Sequence, residues 1–187
     1  MRKLIYAINT TLDGVADHMK VGPPDEETGE YFVRLTRDAG TFLYGRKTYQ
    51  LMVPFWPDIA KNPSGQPKAR TEFAQAFDAV DKIVVFSQSL DSAEGEKTRI
   101  VHTDLHDEVL KLKQEQGKNI MTGGVTLPSQ LSELGLIDEY LFVVHPIVAG
   151  EGRRLFEGIN LQEKLRLKLV ESTTFKSGCV LLHYLKQ

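Results

Sequence analysis

Cysteine is almost missing from this chain. Its one example, Cys179, stands in an apolar strand-like run, which excludes a disulfide framework and points to a buried small hydrophobe. No run of like charges is long enough to be a tail, and the formal charge of -2 offers no basic surface that would favour nucleic acid as the main partner. No apolar segment reaches the length of a membrane span. The amino terminus, Met1-Arg-Lys-Leu-Ile-Tyr-Ala-Ile-Asn9, turns polar too soon for a signal peptide, so a cytoplasmic location is expected. Neither the dinucleotide fingerprint G-x-G-x-x-G nor a Walker sequence occurs. The five histidines form no ligand set: His102 and His106 straddle a strand end and a helix start, and the others are scattered, so no metal is expected. Repeats, low-complexity tracts and linkers are also lacking, and residues 1–187 are expected to form one domain with a core of its own.

What is present alternates between strand and helix. Lys3 to Thr10 is a nearly unbroken apolar run, which suits a strand covered on both faces at the centre of a sheet. Thr11-Leu-Asp-Gly14 turns the chain, and the segment to Glu27, carrying Gly22, Pro23 and Pro24, reads as a long functional or mobile loop. A helix is expected over Glu26 to Ala39, ending at Gly40. A buried strand then runs through Thr41-Phe-Leu-Tyr-Gly45 into a short helix that starts near Lys47. A polar, proline-bearing excursion follows, from Pro54-Phe-Trp-Pro57 to Pro67. Next come a helix over Arg70 to Phe77, strands over Asp81 to Ser87 and Arg99 to His102, and a helix over Leu105 to Gln116 that Asp104 can cap. Asn119 to Thr122 is again a strand, ends at Gly123-Gly124, and leads to a helix over Val125 to Leu134. Asp138 to Val148 reads as a long strand, and Leu165 to Thr174 with Gly178 to Leu185 as an antiparallel hairpin.

Two of these junctions share one layout: strand, glycine, helix. At the first, Gly45-Arg46-Lys47-Thr48, backbone N–H groups and the positive helix end point past the strand, while Arg46 offers a bidentate fork and Lys47 a point charge. That combination suits a phosphate or carboxylate; the plain alternative is a turn with two solvated cations. Gly123-Gly124 repeats the layout, and Gly-Gly also serves merely to pack a helix on a strand. In one parallel sheet both junctions fall at the carboxyl ends of the strands, where they could hold the two ends of a dinucleotide. Ser87-Gln88, closing another strand, adds hydroxyl and amide donors or is an ordinary strand end. Asp13 is a candidate proton donor or substrate anchor, or a plain Asp-Gly turn residue. Phe55 and Trp56 are a lid over a planar ligand, a dimer contact or a loop tucked on the core.

Taken together, Leu12-Asp-Gly14, Leu43-Tyr-Gly-Arg-Lys-Thr-Tyr49, Pro54-Phe-Trp-Pro57, Lys82-Ile-Val-Val-Phe-Ser87, Thr122-Gly-Gly124, Leu136-Ile-Asp-Glu-Tyr140 and Pro146-Ile-Val-Ala-Gly-Glu-Gly-Arg-Arg-Leu-Phe156 resemble the dihydrofolate-reductase-like family that includes the reductase domain of the bifunctional riboflavin-biosynthesis deaminase-reductase. The resemblance implies a three-layer αβα fold, a mostly parallel eight-stranded sheet with a C-terminal antiparallel hairpin, and NADPH across the strand ends. It implies that Gly45, Arg46, Lys47 and Thr48 meet phosphates, Ser87 and Gln88 the 2′-phosphate side, and Gly123 and Gly124 the pyrophosphate. Ile8 and Asn9 would border the nicotinamide, while Glu151, Gly152 and Arg153, with Trp56, would lie toward the substrate.

The implied activity is hydride transfer to a small heterocyclic or ribosylamino-pyrimidine-type substrate, as in 5-amino-6-(5-phosphoribosylamino)uracil reductase. A nucleotide- or flavin-binding module without turnover is the alternative. The chain departs from the family in lacking a zinc deaminase domain. It also has no clear counterpart of the buried carboxylate with which dihydrofolate reductases hold the pterin; Glu27 and Glu30 are only approximate stand-ins. A homodimer is expected, because Tyr140 to Val148 and the terminal hairpin offer apolar edges.

Overall fold

Hydrophobic runs that are apolar on both faces settle in the middle of a sheet, and the computed structural model, which describes residues 1–93 and 97–187, has this arrangement. Eight strands pair in the order β4-β3-β2-β5-β1-β6-β8-β7. They are β1 (Leu4–Thr11), β2 (Ala39–Gly45), β3 (Lys82–Phe86), β4 (Thr98–Val101), β5 (Asn119–Thr122), β6 (Glu139–His145), β7 (Leu167–Thr174) and β8 (Val180–Lys186). The six strands from β4 to β6 in that order pair in parallel, and β8 pairs antiparallel to both β6 and β7. Among the described residues seven helices accompany the sheet: α1 (His18–Val21), α2 (Glu26–Arg37), α3 (Arg46–Met52), α4 (Phe55–Lys61), α5 (Lys68–Asp78), α6 (Leu105–Gln114) and α7 (Thr126–Glu133). One face of the sheet buries Ala7, Phe42, Tyr44 and Val85 under α2 to α5; the other buries Tyr6, Leu43, Val84 and Ile120 under α6 and α7. This is the expected three-layer fold with its C-terminal hairpin.

Three details differ from the sequence reading. The segment from Gly14 to Glu27 is not all loop, because Asp17 caps the single turn α1 through Met19 N. Gly40 does not end a helix. α2 stops at Arg37 and Gly40 already lies in β2, where a Cβ would come within 3.1 Å of the Lys118 Cβ, so the glycine lets two strand ends approach. Pro54 to Lys61 is helical from Phe55, since Pro57 falls in the first turn of α4, where a missing N–H costs nothing.

The expected edge of the long late strand is also absent. β6 ends at His145 and is flanked by β1 and β8, so β7 alone carries the free edge on that side of the sheet. No helix among the described residues is long and apolar enough to cross a membrane.

Candidate functional site

Parallel strands deliver their carboxyl ends to one edge, and here that edge collects most of the residues singled out by sequence. Leu43 pairs with Thr122 and Gly45 with Phe86, so the ends of β2, β5 and β3 are neighbours. The junctions Gly45–Thr48 and Gly123–Gly124 therefore lie side by side. They touch: a methyl group on Gly124 would collide with the Thr48 hydroxyl, and Gly124 also holds φ at 86°. From the far side, the buried Tyr6 donates its hydroxyl to the Gly124 carbonyl at 2.8 Å, and burial pushes that phenol well above its ordinary range.

β1 pairs with β5 only as far as Tyr6, yet continues along β6 to Thr11. Ile8 and Asn9 consequently lie beyond the last β1–β5 pair, and the missing side chain of Gly123 faces the Ala7 carbonyl. Asn9 is held from below by His145, whose Nε2 lies 2.9 Å from Asn9 Oδ1. Burial keeps His145 below the ordinary histidine range, so the neutral ring donates its proton to that oxygen and leaves the Asn9 amide N–H groups as donors. Sequence reading missed the pair because His145 ends one strand and Asn9 lies within another, 136 residues apart in the chain.

Arg46 and Lys47 are exposed at the start of α3, and among the described residues neither forms an ion pair or a side-chain hydrogen bond. Nothing caps α3 by a side chain. The helix has seven residues, so its dipole adds only about 0.3–1 kcal/mol toward an anion. A charge-assisted bond from Arg46 is worth about 1.5–3 kcal/mol, and the cations rather than the helix decide the site's sign. Ser87 follows Phe86 beside Gly45. Its Oγ accepts from Ser89 N at 3.2 Å, and its carbonyl lies 2.5 Å from His102 Nδ1. Gln88 is partly engaged elsewhere, donating Nε2 to the His102 carbonyl at 3.3 Å.

Asp13 does not present a free acid. Its carboxylate accepts from Thr11 Oγ1 at 2.7 Å, Ala149 N at 3.0 Å and Gly150 N at 2.9 Å, and the Arg154 guanidinium stands 3.6 Å away. The Thr11 hydroxyl first, then the Ala149 amide, hold this carboxyl well below the usual carboxylate range. A group so held does not release a proton near neutral pH; it ties the 149–154 loop to the turn after β1. Glu151 in that loop pairs with Lys20 of α1 at 2.9 Å, and Gly152, at φ 126°, packs where a Cβ would meet Val15 Cγ1 at 2.7 Å. The Arg153 carbonyl accepts from Ala16 N at 2.9 Å. These three residues thus gather with Asp13 rather than with Trp56.

Trp56 lies on α4, edge-on to Phe73 at 4.6 Å, in the wall of a cleft of ≈ 720 Å³ between α1, α2, α4 and α5. Glu27 and Glu30 do not replace a buried carboxylate: Glu27 accepts from Lys176 N at 2.8 Å and pairs with its Nζ at 3.1 Å, and Glu30 is exposed. The exposed group Asp104, His106 and Asp107 brings ligand atoms within 4.8 Å of one another. There Asp104 Oδ1 already caps α6 through Asp107 N, at 3.1 Å.

A mostly parallel sheet with two glycine junctions side by side at the carboxyl ends of its strands defines an α/β fold of the kind that takes ligands at its strand ends. The chain matches the RibD C-terminal domain over residues 2–181 and belongs to that family. It is 32% identical over 187 residues to the uncharacterized protein YyaP of Bacillus subtilis, an alignment covering 98% of this chain and 94% of the relative. Among solved structures, a candidate riboflavin biosynthesis protein of Shewanella sp. PV-4 superposes with a TM-score of 0.73 at 19% identity, over 100% of this chain and 99% of that one. The diaminohydroxyphosphoribosylaminopyrimidine deaminase/5-amino-6-(5-phosphoribosylamino)uracil reductase of Thermotoga maritima gives 0.69 at 16% identity, over 100% of this chain and 57% of the longer protein. A dihydrofolate reductase of Enterococcus faecalis in complex with NADP(H) gives 0.64 at 14% identity, over 99% and 96%. The fold is dihydrofolate-reductase-like.

Proposed function

We propose that this chain is an NADPH-dependent reductase acting on a C=N or C=O of a small heterocyclic or ribosylamino-pyrimidine-type substrate. The observation that carries the reading is the contact of Gly45–Thr48 with Gly123–Gly124 at one sheet edge, with Arg46 and Lys47 unpaired among the described residues. Backbone N–H groups at two adjoining strand-to-helix turns suit a pyrophosphate, and two uncommitted cations suit the further phosphate that separates NADPH from NADH. When bound, the cofactor supplies the hydride, and the protein supplies orientation and water exclusion. Ile8 and Asn9 border the ring end of the site; Ser87 and Gln88 flank the side on which Arg46 stands. Membership of the RibD C-terminal domain family and the named reductase activity of the Thermotoga relative support this assignment.

Asp13 acts in this reading as the clamp that positions Glu151, Gly152 and Arg153 beside the strand end. The same engagement of Asp13 favours, as a second reading, a nucleotide- or flavin-binding module without turnover. Titrating NADPH and NADH into the wild type and Arg46→Ala tests the proposal. Loss of one charge-assisted phosphate contact should weaken NADPH by roughly tenfold to a hundredfold and leave NADH nearly unchanged. Equal affinities for both nucleotides, unaffected by the substitution, refute it. NADPH that binds and is not consumed across pteridines, flavins and pyrimidines selects the second reading.

A further inference from the structure

The cleft of ≈ 720 Å³ falls in the size range of small-molecule sites, and its place follows from the topology. α2 and α5 each lead back to the start of a parallel strand, so their first residues, Glu26 and Lys68, lie at the same sheet edge as the glycine junctions. Between these helix ends a Cβ on Gly29 would sit 3.2 Å from the Ala69 Cβ, so the two helices meet there and floor the cleft.

Its walls are mostly carbon. Phe55 and Trp56 stand edge to face at 5.0 Å, opposite Pro23 and Pro24. Two carboxylates line the cleft. Glu26 is exposed at the start of α2, and Asp25 is already committed: its oxygens accept from Glu27 N, Thr28 N, Thr28 Oγ1 and, at 2.7 Å, Ser177 Oγ. A sugar-phosphate chain placed here would lose water from several hydroxyls with few partners to replace it. At the mouth, the Arg70 guanidinium lies 5.1 Å from the Phe55 ring centroid, and among the described residues it forms no ion pair. A guanidinium over a ring face keeps its edge N–H groups available for a carboxylate.

We propose that this cleft binds a planar, largely apolar aromatic carboxylate, with its ring against Trp56 and Phe55 and its acid group on Arg70. Within the reductase reading, on which its catalytic meaning rests, this favours the small heterocyclic substrate class, with an aromatic carboxylate at one end, over the ribosylamino-pyrimidine one. Binding itself is independent of that reading and is tested without NADPH. Trp56 is the single tryptophan in the chain, so its one indole N–H signal in a proton–nitrogen correlation spectrum reports the cleft, and calorimetry gives the affinity. The probes are 2-naphthoate, 2-naphthylmethanol and ribose 5-phosphate.

The expected result is saturable binding of 2-naphthoate with displacement of the indole signal. Arg70→Ala should weaken 2-naphthoate roughly tenfold and leave 2-naphthylmethanol unchanged. Ala69→Phe, which fills the cleft floor, should abolish both. No saturable shift with either naphthyl compound, tighter binding of ribose 5-phosphate, or equal weakening of both naphthyl probes by Arg70→Ala overturns the proposal. Naphthoate binding in a protein that does not bind NADPH upholds the cleft and refutes the reductase reading alone.

Discussion

At Gly45 the backbone φ is −80°, which any residue adopts, and an added methyl group would lie 3.5 Å from the Leu127 Cβ, in ordinary contact. The fold does not demand glycine there, since a methyl group would rest against Leu127 of α7. Gly124 is different, because its positive φ and the Thr48 hydroxyl both exclude a side chain. Gly45→Ala is expected to shift stability by less than about 1 kcal/mol while weakening NADPH; Gly124→Ala should lower the thermal midpoint as well. Equal loss of stability in both variants contradicts the distinction. Asp13 makes a prediction with a sign. Its folded-state pKa is depressed, so the stability it contributes is present above its ordinary value of 3.8 and is lost as pH falls below that value. Asp13→Asn should speed hydrogen exchange at the Ala149 and Gly150 amides at neutral pH; protection equal to wild type would show that the carboxylate is not the clamp.

Which elements form was largely readable, and which become neighbours was not. The Thr41–Thr48 stretch shows its strand and helix start in its own residues, because a β-branched and aromatic run meets glycine and then two cations. The adjacency of β2 and β5 depends on where the α6 crossover sets its strand down, 74 residues later, and local periodicity carries no such information. Resemblance to a family supplied it. Prolines misled in the other direction: Pro57 reads as a breaker, yet it occupies the first turn of α4 and places Trp56 on the cleft wall. Of the two edges expected from sequence, the stretch from Tyr140 is flanked by β1 and β8, and the terminal hairpin carries the free one. β7 exposes Leu169 at 48% and Val170 at 44%, and its outer backbone edge faces no strand. If two copies associate, β7 is the surface that would be covered, and Val170→Lys should convert a dimer to a monomer in light scattering. A dimer insensitive to that change uses another face.

At the scale of the whole molecule, a buried histidine ties stability to pH. His145 closes β6 at 5% exposure and is neutral in the fold because burial disfavours its charged form. Its pKa is lowered, so its contribution is fully present above its ordinary value of 6.5 and is lost as pH falls below it, before the carboxylates titrate. Thermal midpoints measured from pH 7.5 to 5 should fall in the wild type and run flatter in His145→Gln; parallel curves would assign the acid sensitivity elsewhere. The central claim, however, concerns the sheet edge, where two glycine junctions from strands far apart in sequence would form one cation-lined phosphate site. A crystal structure with NADPH bound tests it most directly. The account predicts pyrophosphate density between Gly45–Thr48 and Gly123–Gly124, with the 2′-phosphate on the Arg46 side. Nucleotide density at another surface, or an empty site at saturating NADPH, would contradict it.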